Sequence, residues 1–138
     1  MIDWNKAKLA IRNRVLAVWP SIPGQWDGQS FTPPDDKALF FIEQLMPVAE
    51  RCIATNMVEG IAIIQYEVST DASNALFDAE ALALKVADEF KPGSDFTYSG
   101  TSVTVDRCER SQTYKVEDKW WRLPIRIRIR TYVVNTPG

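Results

Sequence analysis

Strict alternation of apolar and polar side chains marks the end of the chain as its clearest β-strand. One face of residues 120–134 is apolar and consists of Trp121, Leu123, Ile125, Ile127 and Ile129. The other face consists of Arg122, Pro124, Arg126, Arg128, Arg130 and Tyr132. Successive side chains of a strand point to opposite faces, so a slip of one residue would bury the row of arginines. The pattern therefore predicts a strand over residues 120–134 with a fixed register.

Apolar residues spaced three and four apart predict a first helix over residues 3–18. Its apolar stripe consists of Trp4, Ala7, Ile11, Val15 and Val18. Asp3 is a suitable N-cap, and Pro20 ends the helix because the residue before a proline avoids helical dihedral angles. Leu9 and Leu16 lie well around the helix from this stripe. They are either two exposed leucines or a second packing surface against another subunit.

A second helix is predicted over residues 72–90, with Asp71 or Ser73 as its cap and residues 91–93 as its end. Its broad apolar arc consists of Leu76, Phe77, Ala79, Ala83, Leu84, Val86, Ala87 and Phe90. Glu80 projects inside this arc, where a carboxylate needs a partner or a route to water. We expect Glu80 to reach the edge of the arc or an arginine of the same chain.

Three further strands are predicted, at residues 38–46, 61–69 and 101–109. Residues 39–42 are apolar on both faces, which indicates that helices or a neighbouring molecule cover both sides. Pro47 either breaks this strand or bulges it, and in the second case the strand continues over residues 48–55. Residues 56–60 are expected to form a turn. The fold class is therefore α+β, with a mostly antiparallel four- to five-stranded sheet and two helices packed on one face.

Two irregular segments interrupt what we expect to be a single domain, residues 1–138. They are a Pro/Gly-rich loop at residues 20–36 and a polar hairpin arm at residues 110–119. Four prolines and two glycines in residues 20–34 exclude a helix there. Loops of this length usually serve binding or assembly. The candidate residues of this assembly loop are Trp26, Phe31, Pro33 and Pro34, of which the two aromatic ones are expected to pin the loop to the body.

The net charge of −2 conceals an uneven distribution along the chain. Acidic residues dominate residues 21–95, whereas residues 1–19 and everything after Phe96 carry an excess of Lys and Arg. A monomer can have this layout by chance. A self-assembling ring could use it to place the basic part of one copy against the acidic part of the next.

The row of Arg126, Arg128 and Arg130 is the strongest electrostatic feature, and it has three interpretations. It could follow the phosphates of DNA, although aromatic side chains are sparse on that face. It could pair within the chain, with Glu43, Glu67 or neighbours across strands. It could instead form a subunit interface, where arginine is favoured. The candidate subunit or lumen contacts are therefore Arg126, Arg128, Arg130, Leu9, Leu16 and Glu67.

The residue types that catalysis and metal binding usually need are missing. The chain has no histidine, which excludes histidine bases, triads and histidine metal ligands. No cysteine pair has zinc spacing, and no phosphate-binding glycine loop occurs. The sequence therefore predicts a protein that is not an enzyme, with no catalytic residues, no metal and no cofactor.

The sequence also indicates where the protein is made. It contains no apolar run of about 18 residues and opens without the apolar segment of a signal peptide, so we expect a cytosolic protein that does not enter membranes. In that compartment Cys52 and Cys108 are expected to be small buried or half-buried residues without a disulfide.

Several of these motifs together carry a family resemblance that covers nearly the whole chain. In order, they are Val18-Trp19-Pro20, residues 26–34 with Phe31-Thr32-Pro33-Pro34, the apolar strand 39–45, the strand ending at Ser69 before the helix core 83–90, and Trp121-Arg122-Leu123-Pro124-Ile125. This order resembles the tail terminator and minor tail proteins of phages with long, non-contractile tails, the lambda U-protein-like tail completion proteins. The sequence departs from them at Asp27, where many relatives have asparagine, and in the long polar stretch 111–119.

The resemblance implies a mechanical role. Such proteins form a hexameric ring that caps the finished tail tube, stops its polymerisation and offers a surface for head–tail joining. Implied partners are further copies of the chain, the tail tube protein, the head–tail connector protein and genomic DNA that passes through the lumen without sequence recognition. The implied location is the host cytoplasm during assembly and then the virion tail. The alternative is a bacterial α+β ligand-binding or regulatory module without catalysis.

Overall fold

The computed structural model describes residues 2–20, 22, 24–27, 39–70, 76–116 and 120–134. Two helices and seven strands follow one another there: α1 (Trp4–Val18), β1 (Gly24–Gln25), β2 (Phe40–Ala54), β3 (Met57–Thr70), α2 (Leu76–Glu89), β4 (Asp95–Tyr98), β5 (Thr101–Arg110), β6 (Tyr114–Val116) and β7 (Trp120–Val134). Neither of these two helices is long and apolar enough to cross a membrane.

The strands form one sheet in the order β1-β2-β3-β7-β5-β4, and β6 pairs with the start of β7. All neighbours are antiparallel except β1 and β2. The α+β class is thus confirmed, but the sheet has more strands than predicted. The missed strands β1, β4 and β6 are two to four residues long, too short to show an alternating pattern. β4 turns into β5 through Ser99 and Gly100, whose positive φ angles of 48° and 84° suit a tight two-residue hairpin turn.

β7 lies between β3 and β5 and has the bounds that its alternation predicted. Ile127 pairs with Ile64 of β3 on one side and with Cys108 of β5 on the other. The apolar face of β7 is buried, and so is the matching face of β3, at Leu123, Ile125, Ile127, Ile129, Ala62, Ile64, Tyr66 and Val68. The central strand therefore carries the middle of the core.

Both helices cover this same face, as predicted. Their inward residues join the strand residues in one hydrophobic cluster, with Ala7, Ile11 and Val15 from α1 and Ala79, Ala83, Val86 and Phe90 from α2. Asp3 caps α1 by accepting a hydrogen bond from the backbone N–H of Lys6 at 3.1 Å. We call the opposite side of the sheet, which carries the arginines of β7, the open face, because neither helix packs on it.

β2 and β3 form a longer hairpin than predicted. β2 continues past Pro47 through a register shift and ends at Ala54. The expected turn is present, but it lies at Thr55 and Asn56 and not over residues 56–60, because β3 already begins at Met57 and pairs on its two sides with β2 and with the end of β7. Pairing on both sides extends a strand beyond what its local sequence indicates.

The predicted apolar arc of α2 is only partly buried. Phe77 is 86% exposed and Leu84 is 62% exposed, so their assignment to the core-facing arc is wrong. The sheet can cover only one side of a helix, and here Ala79, Ala83 and Val86 occupy that side. The proposed caps Asp71 and Ser73 lie outside the described residues.

The two cysteines differ in environment, and both are free thiols. Cys108 is half-buried as expected, and burial, followed by the charge of Glu109, raises the pKa of its thiol to about 11. Cys52 is exposed, contrary to the prediction, because it lies on the outer half of β2, where residues 47–56 are all exposed.

Replacing Ile127 with aspartate should unfold the protein. The new carboxylate would lie unpaired at a fully buried position, at a cost of about 4 kcal/mol or more, which is comparable to the whole stability of a small domain. Far-UV circular dichroism and thermal melting would measure the loss. Val134→Asp, at an exposed position of the same strand, should melt like the unmodified protein. A folded Ile127→Asp variant with native melting would show that the register of β7 is wrong.

Candidate functional site

Two arginines of the predicted row share a carboxylate within the chain. Asp106 Oδ2 lies 3.7 Å from Arg128 Nε, and Asp106 Oδ1 accepts a hydrogen bond from Arg130 Nε at 3.2 Å. The hydrogen bonds to Asp106 raise the pKa of Arg130 above its usual value. Asp106 lies at the register shift between β5 and β7, a feature that alternation along the sequence does not reveal. Pairing within the chain thus holds for these two arginines, with a partner other than Glu43 or Glu67.

The third arginine of the row has no carboxylate partner in the part of the chain that the structure describes. Arg126 is exposed, and its Nε donates to Gln65 Oε1 at 2.8 Å. Gln65 Nε2 donates in turn to Glu67 Oε1 at 2.6 Å, and Tyr114 donates its hydroxyl to Glu67. Burial and then this hydrogen bond raise the pKa of Tyr114. Glu67 is therefore linked to Arg126 only through an amide.

The open face carries more arginines than carboxylates. Its arginines are Arg51, Arg107, Arg122, Arg126, Arg128 and Arg130, and its carboxylates are Glu59, Glu67, Asp95, Asp106 and Glu109. The Nε atom of Arg122 is buried and has no hydrogen-bond partner among the described residues. This side of the sheet is therefore a cationic surface whose hydrogen-bonding capacity is only partly used.

Glu43 lies on the other face of the sheet, beneath α1, so its predicted pairing with the arginine row is wrong. It is 3% exposed and accepts hydrogen bonds from Arg12 Nε at 3.1 and 3.2 Å and from the Tyr66 hydroxyl at 2.6 Å. The backbone N–H of Asp27 donates to it at 3.2 Å. Burial, and next the charge of Glu43, raise the pKa of Tyr66 well above its ordinary value. A buried carboxylate is tolerated here because several donors surround it.

The same cluster fixes the start of the proposed assembly loop. The ring of Trp26 packs edge-on against Phe41 with centroids 4.9 Å apart, and the guanidinium of Arg12 lies 4.6 Å from the centre of the Trp26 ring. Lys8 Nζ forms an ion pair with Asp27 Oδ2 at 3.2 Å. Trp26 therefore pins the loop to the body as expected. The other loop candidates, Phe31, Pro33 and Pro34, lie outside the described residues.

The exposed side of α2 is a feature that sequence reasoning missed. A groove with a volume of about 390 Å³ lies beside it, lined by Phe77, Glu80, Ala81, Ala83, Leu84, Ala87, Arg110 and Ile125. Glu80 forms an ion pair with Arg110 at its rim, which confirms that this carboxylate meets an arginine of the same chain. The signal in the sequence was the width of the apolar arc, which exceeds what one sheet can cover.

The two leucines proposed as a second packing surface on α1 differ in exposure. Leu9 is half-buried, and Leu16 is exposed. Among the described residues, no group of three or more His, Cys, Asp or Glu side chains is arranged to hold a metal ion.

Comparisons with known proteins give a family match and two structural neighbours. Residues 6–129 match a family model described as phage tail terminator protein. A solved chain without a descriptive name superposes with a TM-score of 0.68 at 19% identity, with 100% of both chains covered. A chain from the virion of a native gene transfer agent particle superposes with a TM-score of 0.62 at 16% identity, covering 94% of this chain and 96% of that chain. Identities this low show a shared fold. No curated protein matches the chain.

Replacing Glu43 with alanine should cost about 3–5 kcal/mol in the free energy of unfolding, because it leaves Arg12 and Tyr66 without their buried acceptor. Urea denaturation followed by circular dichroism would measure the loss. Glu80→Ala is the matched control, since its ion pair with Arg110 is about half exposed and should contribute about 0–1 kcal/mol. Equal losses in the two variants would contradict a structural role for the Glu43 cluster.

Proposed function

Because the chain belongs to the phage tail terminator protein family and is thus a structural protein of a phage tail, we propose that it forms a hexameric ring on the head-proximal end of the tail tube. The ring stops tube polymerisation and provides the surface on which the head joins the tail. The family match over residues 6–129 is the observation that carries this proposal. In this role the protein acts by assembly, without catalysis or a cofactor.

The layered fold suits a ring. Closed rings are built from heterologous contacts, in which two different surfaces of one chain meet in neighbouring copies. The open face and the outer side of the helix layer are two such surfaces, and they point in opposite directions from the same sheet. The cationic character of the open face adds a means of selecting an acidic partner.

We assign the contact residues predicted from the sequence to surfaces of this fold. The row of Arg126, Arg128 and Arg130 lies with Glu67 at a subunit boundary or at the lumen, where it faces carboxylates or the phosphates of passing DNA. Leu9 and Leu16 on α1 form a further contact between subunits. The assembly loop, whose root is fixed through Trp26 and Asp27, meets the tail tube or the connector.

The partners that follow are further copies of the chain, the tail tube protein, the head–tail connector protein and genomic DNA that crosses the lumen without sequence recognition. Residues 1–138 act as one domain, first in the host cytoplasm during assembly and then in the virion tail.

Deleting the gene from the phage or prophage that encodes this protein should yield tails of uncontrolled length that lack heads, because nothing would then cap the growing tube. Electron microscopy of lysates would give the tail-length distribution and the fraction of tails joined to heads. The unmodified gene supplied in trans should restore uniform, headed tails, and the purified cap should show six-fold symmetry. Uniform tails with heads in the deletion strain would contradict the proposal.

Replacing Arg126, Arg128 and Arg130 together with glutamine should leave the protein folded but block ring closure or head joining. Glutamine can still donate a hydrogen bond to Asp106, and the lost ion pairs are partly exposed, so we expect a stability loss of at most about 2 kcal/mol. Complementation of the deletion strain, scored by infectious titre and tail length, measures the effect.

The matched control removes three cations elsewhere, as Lys6→Gln, Arg14→Gln and Lys91→Gln, and should complement fully. If the triple arginine variant also gives normal tails and full titre, the row is a solvated surface that takes no part in assembly.

A further inference from the structure

Four residues along one side of α2 are exposed, although two of them have large apolar side chains. Phe77, Ala81, Leu84 and Asp88 follow one another at spacings of four, three and four, which places them on one side of the helix. Phe77 is 86% and Leu84 is 62% exposed. Exposed apolar surface of this kind marks contact sites on folded proteins. We call these four residues the α2 stripe.

The charged side chains in and beside the α2 stripe differ in whether they form an ion pair. Glu80 and Arg110, at the rim of the adjoining groove, form an ion pair with each other. Asp88, at the end of the stripe, is exposed and has no ion-pair partner in the described part of the chain. The stripe is therefore an apolar ridge that ends in one unpaired carboxylate.

The open face has the opposite character. Arg126 is exposed, and the described chain offers it an amide but no carboxylate. Ile61 and Ile63 on the same face of β3 are only partly buried, because no helix packs over them. This surface is therefore partly apolar and carries an unpaired cation.

We propose that the α2 stripe of one copy packs on the open face of a second copy, with Asp88 opposite that copy's Arg126. This inference rests on the proposed function and names the contact that builds the ring. The apolar ridge covers the half-buried isoleucines, and the unpaired carboxylate meets the unpaired cation. Charge complementarity selects a second copy of the chain as the occupant, since both halves of the contact are present on it.

The alternative symmetric contacts are disfavoured by charge. A two-fold pairing of α2 stripes would leave each Asp88 without a cation, because it would face Phe77 of the other copy in an antiparallel pair and the other Asp88 in a parallel pair, and a two-fold pairing of open faces would oppose two arginine rows. The contact between stripe and open face avoids both. Because the two surfaces lie on opposite sides of the sheet, a growing arc of copies keeps one free stripe at one end and one free open face at the other until the ring closes.

A charge exchange tests the pairing. Asp88→Arg and Arg126→Asp should each reduce the infectious titre of the complemented deletion strain by about tenfold or more, because each places like charges across the contact. The double variant should recover titre and uniform tail length to within about threefold of the unmodified protein, since the reversed pair attracts again. Both positions are exposed, so circular dichroism should show all three variants folded; the two that carry Arg126→Asp lose the hydrogen bond to Gln65, and we expect the same small drop in melting temperature in both.

A second pair of variants tests the apolar half of the contact. Leu84→Glu should block assembly, whereas Val48→Glu, at a similarly exposed apolar position on β2, should not. If Val48→Glu blocks assembly and Leu84→Glu does not, the contact uses the β2–β3 hairpin, and the inference is wrong.

The remaining outcomes separate this inference from the proposed function. If the unmodified gene complements while the variants of Asp88, Arg126 and Leu84 all complement equally well, the terminator function stands and the stripe is not the interface. If both single exchanges fail and the double exchange fails too, these residues meet the tube or the connector instead of each other, which also overturns the pairing. If the unmodified gene does not complement at all, the proposed function itself fails.

Discussion

The separation of β7 into an apolar and a charged face is the constraint on which the rest of the structure depends. β7 is the middle strand, hydrogen-bonded to β3 and β5, so its register is transmitted to both neighbours. Burying Ile125, Ile127 and Ile129 fixes one side of the sheet as the base of the core. Both helices must then pack on that side, and the arginines of the same strand must remain on the other. One alternation thus decides where the core lies and where a charged surface is left open.

Within the core, the Glu43 cluster is a buried polar group that links several elements. Its carboxylate joins α1, β2, β3 and the backbone of Asp27, and the aromatic contact between Trp26 and Phe41 lies next to it. Removing such a cluster from water costs free energy, but its hydrogen bonds are directional, so they fix the positions of the donors around the carboxylate. It holds the root of the Pro/Gly-rich loop at a defined position on the body. A rigid root of this kind suits a loop that meets a partner during assembly.

The two outward surfaces are unlike, and the proposed assembly into a ring depends on that difference. The proposed ring requires no bond chemistry; it requires copies that bind neighbours in one direction and then stop. A sheet with helices on only one side supplies two unlike surfaces without any additional element. Here the helix side adds exposed apolar residues, and the sheet side adds arginines, of which Arg126 has no carboxylate partner among the residues that the structure describes. Unlike surfaces favour heterologous contacts over two-fold pairing.

The sequence by itself determined the features that depend on local periodicity. The bounds of β7, the extent of α1 with its Asp3 cap, the α+β class and the family followed from alternation, spacing and the order of motifs. Tertiary structure alone decided the features that depend on register between distant segments. A register shift brought Asp106 to Arg128 and Arg130, and strand pairing placed Glu43 under α1 instead of beside the arginines. The same holds for Phe77 and Leu84, because helical spacing shows which residues share a side of α2 but only the position of the sheet decides which side is buried.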